Sequence, residues 1–161
     1  FGLFCRLLQR ELTINQIAKE TGKSYSFTNK AVKSLIQQGL LHAKPVGHSI
    51  LCKANYQHPA ARQYLALSSA LMHQQRFAAV REGKRSHVST ILSVLKHDFL
   101  CAVLVKEQLF IIRKDEPALG GDFHIIQSLH FKDFIRQHNL EDVIVVAGYE
   151  KFWELVGENF E

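Results

Sequence analysis

Residues 11–53, ELTINQIAKETGKSYSFTNKAVKSLIQQGLLHAKPVGHSILCK, hold the pattern on which the fold turns. Thr13 is an N-cap candidate for a short helix from Ile14 to Glu20, whose Ile14, Ile17 and Ala18 recur at helical spacing. Gly22 stands where such a helix stops, because only glycine enters the left-handed region without a Cβ penalty. Ser24 then starts a second helix, with Thr28, Val32, Leu35 and Ile36 as its inward stripe and Gly39 as its end. Ser26, Asn29, Lys30 and Lys33 consequently face outward. Beyond Gly39, residues 40–44 and 48–53 predict two strands flanking a hairpin turn at Pro45-Val46-Gly47.

A helix-turn-helix followed by a β-hairpin wing presents its second helix to a DNA major groove, and the outward chemistry here suits that use. Base edges are read by amide and hydroxyl groups, phosphates are met by cations, and this face supplies Asn, Ser and Lys without an acid. The plainer alternative is that two helices and a hairpin are one piece of a small α+β core. Under the DNA reading, Ser26, Asn29, Lys30 and Lys33 enter the groove, with Lys23 and Ser24 beside the backbone. Lys44 and His48 on the wing lie near phosphate or the minor groove.

Charge is distributed unevenly along the 161 residues. Residues 1–56 hold eight Lys/Arg and two Asp/Glu, residues 57–100 six and two, and residues 101–161 six and eleven. After Glu20 the next acid is Glu82. A positive end of this kind is the electrostatic footprint expected of phosphate contact, and Arg76, Arg81, Lys84 and Arg85 are expected to extend it.

The 47% hydrophobic content is enough for a core, and no apolar run approaches the roughly 20 residues of a membrane helix. Cys5, Cys52 and Cys101 are far apart and form no CxxC pair, which predicts reduced thiols packed as small hydrophobes and a cytoplasmic setting. The nine histidines include neither HxxxH nor HExxH. His124 and His130 fall in one strand-like run, on the same face but far apart, so no metal site is expected.

Pro59 suits a first helical turn, and Tyr64, Leu67, Leu71 and Ala78, with Leu65 and Val80 beside them, form an apolar stripe along a helix of about six turns. Such a stripe packs on the second half of the chain or pairs with the same helix of another copy, as in a homodimer reading two half-sites. Glu82-Gly83-Lys84-Arg85-Ser86 breaks the pattern and marks the expected domain boundary. The division is thus residues 1–56, a connecting helix over 57–84, and a small α/β domain over 85–161. In that last part a helix is expected from His87 to His97. Strands are expected over 99–105, 109–113 and 123–129, with the connection Lys106-Glu107-Gln108 and a glycine-containing loop at 118–122. A helix opening at Phe131, an apolar strand over 142–148 and a helix over 149–156 complete the set.

Ile-Ala-Lys-Glu-Thr-Gly-Lys-Ser-Tyr (17–25), Gly39-Leu40-Leu41, Val46-Gly47 and Ile50-Leu51-Cys52, with a helix after Asn55, resemble the winged-helix half of archaeal two-domain proteins. The second half of those proteins is a minimal nucleotidyltransferase-like domain. His124-Ile125-Ile126, Phe131-Lys132-Asp133-Phe134 and Ile144-Val145-Val146-Ala147-Gly148-Tyr149-Glu150-Lys151-Phe152-Trp153 are similar to that domain's later strand and its last two helices. The resemblance implies an α+β protein with nucleotidyl-transfer chemistry in its C-terminal part. That chemistry needs a Gly-Ser or Gly-Gly turn for the triphosphate and alternating acids on a strand for Mg²⁺. Here the first strand ends Leu104-Val105-Lys106, the second reads Leu109-Phe110-Ile111-Ile112, and Gly120-Gly121-Asp122 has no second acid alternating with Asp122. The expectation is therefore a DNA-binding transcription regulator, with no catalytic residue and no cofactor. Its partners would be double-stranded DNA, a second copy and a small-molecule effector, with no membrane. The alternative is a nucleotidyltransferase or the antitoxin-type component of such a system.

Overall fold

Local capping signals set the first half of the chain. Thr13 caps the helix that follows it: its hydroxyl accepts from the Gln16 amide at 3.2 Å while the Gln16 side chain accepts from the Thr13 amide at 2.8 Å. This reciprocal box satisfies two backbone donors that a helix start would otherwise leave without partners. Gly22 ends that helix at φ +65°, its N–H returning to the Ala18 and Lys19 carbonyls. Ser24 opens the next helix by accepting from the Phe27 amide at 3.3 Å.

The computed structural model describes residues 2–6, 10–95, 99–115, 123–138 and 142–159. Its order is α1 (Gly2–Arg6), β1 (Leu12–Thr13), α2 (Ile14–Thr21), α3 (Tyr25–Gln37), β2 (Leu41–Val46), β3 (Ser49–Ala54), α4 (Pro59–Ala78) and α5 (Glu82–Leu95). It continues with β4 (Cys101–Val105), β5 (Gln108–Arg113), β6 (His124–Gln127), a 3₁₀ turn (Ser128–His130), α6 (Phe131–Gln137), β7 (Val143–Ala147) and α7 (Tyr149–Asn159). The chain is a mixed α+β protein, with two small sheets among the described residues.

The first sheet has the order β1-β3-β2, all antiparallel, with Leu12 opposite Cys52 and Leu41 opposite Ala54. The β2–β3 turn is Gly47-His48, with Gly47 at φ +55°, so Pro45 and Val46 belong to β2 and not to the turn expected at 45–47. Glycine first is the pattern of a two-residue type II′ hairpin, whose twist matches the strands. Pro45 is tolerated because β2 is an edge strand with one side that needs no donor.

The second sheet has the order β6-β5-β4-β7, with only β5 and β6 parallel. Both faces of its central strands are covered, which is why β4 and β5 read as continuous apolar runs. Cys101, Val103, Val105, Phe110 and Ile112 join the larger core with α4, α6 and α7. Ala102, Leu104, Leu109 and Ile111 pack with Val88 and Leu95 of α5.

The larger core is continuous from Ile14, Ile17, Val32 and Cys52 through Leu65 to Phe152, Trp153 and Val145. Helix α4 therefore lies between the two halves. The Trp153 indole donates to Ser69 Oγ at 2.9 Å, Ser69 donates to Cys5 Sγ at 3.7 Å, and Cys5 donates to the Leu65 carbonyl at 3.4 Å. That relay satisfies the polar atoms α1, α4 and α7 bury together. Tyr56 stacks on Trp153 at 6.3 Å, and the Gln57 side-chain amide donates to the Gly157 carbonyl, so the segment after the hairpin is held against α7.

Several expected boundaries move. Glu82 to Ser86 do not break the helical pattern: they form the first turns of α5, where Glu82 suits the positive end of the helix dipole, and the break falls at Ala79–Arg81. Leu65 is fully buried, whereas Tyr64, Leu67 and Leu71 are 50%, 60% and 59% exposed, so the expected stripe splits between two opposite faces. The β4–β5 turn is Lys106-Glu107, both at positive φ, and Gln108 begins β5. His130 sits in the 3₁₀ turn, not on the β6 strand with His124. The glycine loop at 118–122 and His97 lie outside the described residues.

Candidate nucleic-acid interface

Helix α3 is held by one side and offers the other. Thr28 and Val32 are buried and Leu35 and Ile36 half-buried, packed toward α2 and β2, as their i, i+4, i+7, i+8 spacing requires. Ser26, Lys30 and Lys33 are exposed on the other side. Lys23 and Ser24 are exposed at the α3 N-terminus, although the Ser24 hydroxyl oxygen is already engaged in capping. Asn29, read from the sequence as facing outward, is half-buried at the margin of the outward face. The stripe geometry explains this: Asn29 lies next to Ile36 around the helix, between the apolar side and Lys33.

The residue nearer the centre is Phe27. It is 63% exposed and shares a face with Lys30 and Ser34, three and seven residues on. An apolar side chain beside a capping serine reads as core from composition. The helical wheel separates the two cases, because Phe27 falls on the side of Lys30 and Ser34, about 100° from Thr28 and about 140° from Val32. Tyr25, 52% exposed in the first turn, adds a second aromatic group.

The hairpin completes the surface. From His42 through Ser49 every residue is exposed, including Lys44 on β2 and His48 at the turn. The hairpin's buried anchors Leu41, Cys52 and Ala54 lie toward the base, and half-buried Ile50 packs against the core nearer the turn. Asn55 ties that base to α3 by donating from its side chain to the Gly39 carbonyl at 2.8 Å. From Thr21 to Arg81 the chain contains no carboxylate side chain, so neither α3 nor the hairpin carries a negative group of its own.

The expected extension of this basic surface through α4 is partly corrected. Arg76 reaches into the C-terminal part and donates to the Val143 carbonyl at 2.8 Å, and Arg85 donates to the Ala78 carbonyl at 3.0 Å. Both guanidinium groups serve the junction around α4 and α5.

In the C-terminal part a cavity of about 260 Å³ is lined by Arg76, Val80, Leu104, Lys106, Glu107, Asp142 and Ile144. Its two cations balance its two carboxylates over an apolar floor. Among the described residues no three His, Cys, Asp or Glu side chains gather as a metal site. All three cysteines are buried and free. Burial pushes the Cys5 thiol up to about 11 and raises Cys52 and Cys101 as well, the reverse of what an attacking thiolate needs. His58 precedes α4, but its side chain makes no capping hydrogen bond. No helix among the described residues is long and apolar enough to cross a membrane.

Comparison of the chain with protein-family models, with curated proteins and with solved structures finds no match in any of the three.

Proposed function

We propose that this chain is a sequence-specific DNA-binding transcription regulator of winged-helix type. In this reading residues 1–56 bind DNA, and the C-terminal part, a degenerate nucleotidyltransferase-like domain without catalysis, serves oligomerisation or effector sensing. The observation that carries it is the outward face of α3, where Ser26, Phe27, Lys30 and Lys33 are exposed on a helix that follows a tight turn and precedes a projecting hairpin, all without a carboxylate.

Each group has a task in that reading. Lys30 and Lys33 meet phosphates or guanine edges, Ser26 and Asn29 offer hydrogen bonds to base edges, and Phe27 supplies apolar contact to a thymine methyl group. Lys23 at the helix start, with Lys44 and His48 on the wing, adds phosphate contacts on either side. Affinity from such contacts falls as salt rises, because each neutralised phosphate releases condensed counterions.

The test is duplex binding by the purified chain across a salt series, beside Lys30→Ala and Lys33→Ala. The reading expects each substitution to weaken binding and to lower the slope of log affinity against log salt by about one. Unchanged affinity and slope in both variants would remove α3 as the contact surface.

A further inference from the structure

We infer that α4 pairs with α4 of a second copy of this chain, antiparallel, about a twofold axis through the middle of the helix. The inference stands apart from the DNA reading. The helix is 20 residues long, about 30 Å, and its two sides are both apolar. Ala61, Leu65 and Ser69 fill the inner side, against α1 and α7. On the other side Leu67 and Leu71 are 60% and 59% exposed, with half-exposed Tyr64 beside them and the small residues Ala60 and Ala78 toward the ends.

The spacing and the charge together point to a copy of the same helix as the occupant. Positions 60, 64, 67 and 71 follow the four-three alternation of a helix-pairing seam and 78 lies one heptad beyond 71, a spacing narrower than the stripe a helix lays on a globular core. Four of the five positions are related by symmetry: 67 with 71, and 60 with 78, are both centred on residue 69, near the middle of Pro59–Ala78. A twofold axis there sets Leu67 against the partner subunit's Leu71 and Ala60 against the partner subunit's Ala78. Leucines then meet at the centre and alanines at the ends, each position facing its mate reciprocally, as an isologous contact demands.

Residues 59–80 contain no Asp, Glu or Lys, and their two arginines do not belong to the exposed side: Arg62 is half-buried and Arg76 reaches Val143. A twofold contact sets each surface patch against its own copy, so a charged patch would meet like charge. The charge-free side of α4 is where two copies approach without that cost, and it offers a charged partner nothing to pair with.

The experiment is sedimentation equilibrium of the full chain across a broad concentration range, beside the double variant Leu67→Glu, Leu71→Glu. Circular dichroism and thermal melts of each check folding. We expect the wild type to show twice the chain mass and the folded double variant the chain mass. As an orientation test that needs no charge in the seam, Ala60→Cys chains mixed with Ala78→Cys chains should form a disulfide dimer that neither forms alone. A wild type monomeric throughout, a double variant that remains dimeric, or Ala60→Cys chains cross-linking to themselves would overturn the inference. DNA affinity for a single half-site is read separately, so its loss or retention does not decide this result.

Discussion

Replacing Gly157 by alanine sets two opposed effects against each other at one atom. Gly157 lies within α7, where alanine is preferred over glycine by up to about 1 kcal/mol because the unfolded chain gives up less freedom. Its added Cβ, however, would stand 2.4 Å from the Tyr56 carbonyl oxygen and 3.3 Å from the Tyr56 carbonyl carbon. Both are backbone atoms held by the Gln57 contact to Gly157 and the Tyr56–Trp153 stack, so the neighbour has little room to retreat. Overpacking costs about 1–3 kcal/mol, and backbone contact places this case toward the upper end. The expected net is a loss of about 1–2 kcal/mol, or a Tm about 2–8 °C lower for a chain of this size. Gly83→Ala is the control, since nothing lies within 4 Å of a Cβ there and α5 should gain a few tenths of a kcal/mol, up to about 1. The assay is chemical and thermal unfolding at one fixed protein concentration, because dimerisation shifts apparent stability. Gly157→Ala as stable as wild type, or as stabilising as Gly83→Ala, would refute the packing of α7 against the segment that follows the hairpin.

Ser69→Ala leaves the buried Trp153 N–H without its acceptor and should cost about 1–3 kcal/mol in urea unfolding, whereas exposed Ser26→Ala should change stability by less than about 0.5 kcal/mol. The Cys5 thiol is raised by burial from 9.0 to about 11, so its contribution is complete below pH 9 and is lost as pH climbs toward 11. Wild type should therefore lose about 2–3 kcal/mol more than Cys5→Ala over that window, as followed by denaturant titrations at each pH. Phe27→Ala should weaken a preferred duplex by about 1–3 kcal/mol while leaving non-specific binding nearly constant, as measured by competition with unrelated DNA.

Where caps and turn residues spoke locally, the fold was legible. Thr13, Gly22, Ser24 and Gly39 placed α2 and α3, and the two strand-like runs placed the hairpin within one or two residues. The turn itself was misplaced because Pro45 signals a turn in sequence but also fits an edge strand. Helix α4 defeated periodicity for a different reason: Leu65 and Leu67 are equally apolar, and only the tertiary contact with α1 and α7 decides which one is buried. Gly83 and a run of charges looked like a linker, yet they sit in the first turn of α5, where exposure and the helix dipole favour them. Lys106-Glu107 takes a positive-φ turn without the Asn or Gly that announces one. Within the candidate interface Lys23, Ser26, Lys30, Lys33, Lys44 and His48 were legible as outward residues. Asn29 at the margin and Phe27 near the centre required the helix to be seen in its packing.

Selection of purified chain on a pool of random duplexes, repeated across a salt series and read by sequencing, tests the central claim most directly. The account predicts an enriched motif whose affinity falls steeply with salt, as an inverted repeat if the α4 pair forms and as a single half-site if it does not. A pool that returns no enriched sequence and shows no salt-dependent retention would contradict DNA binding by α3 and the hairpin.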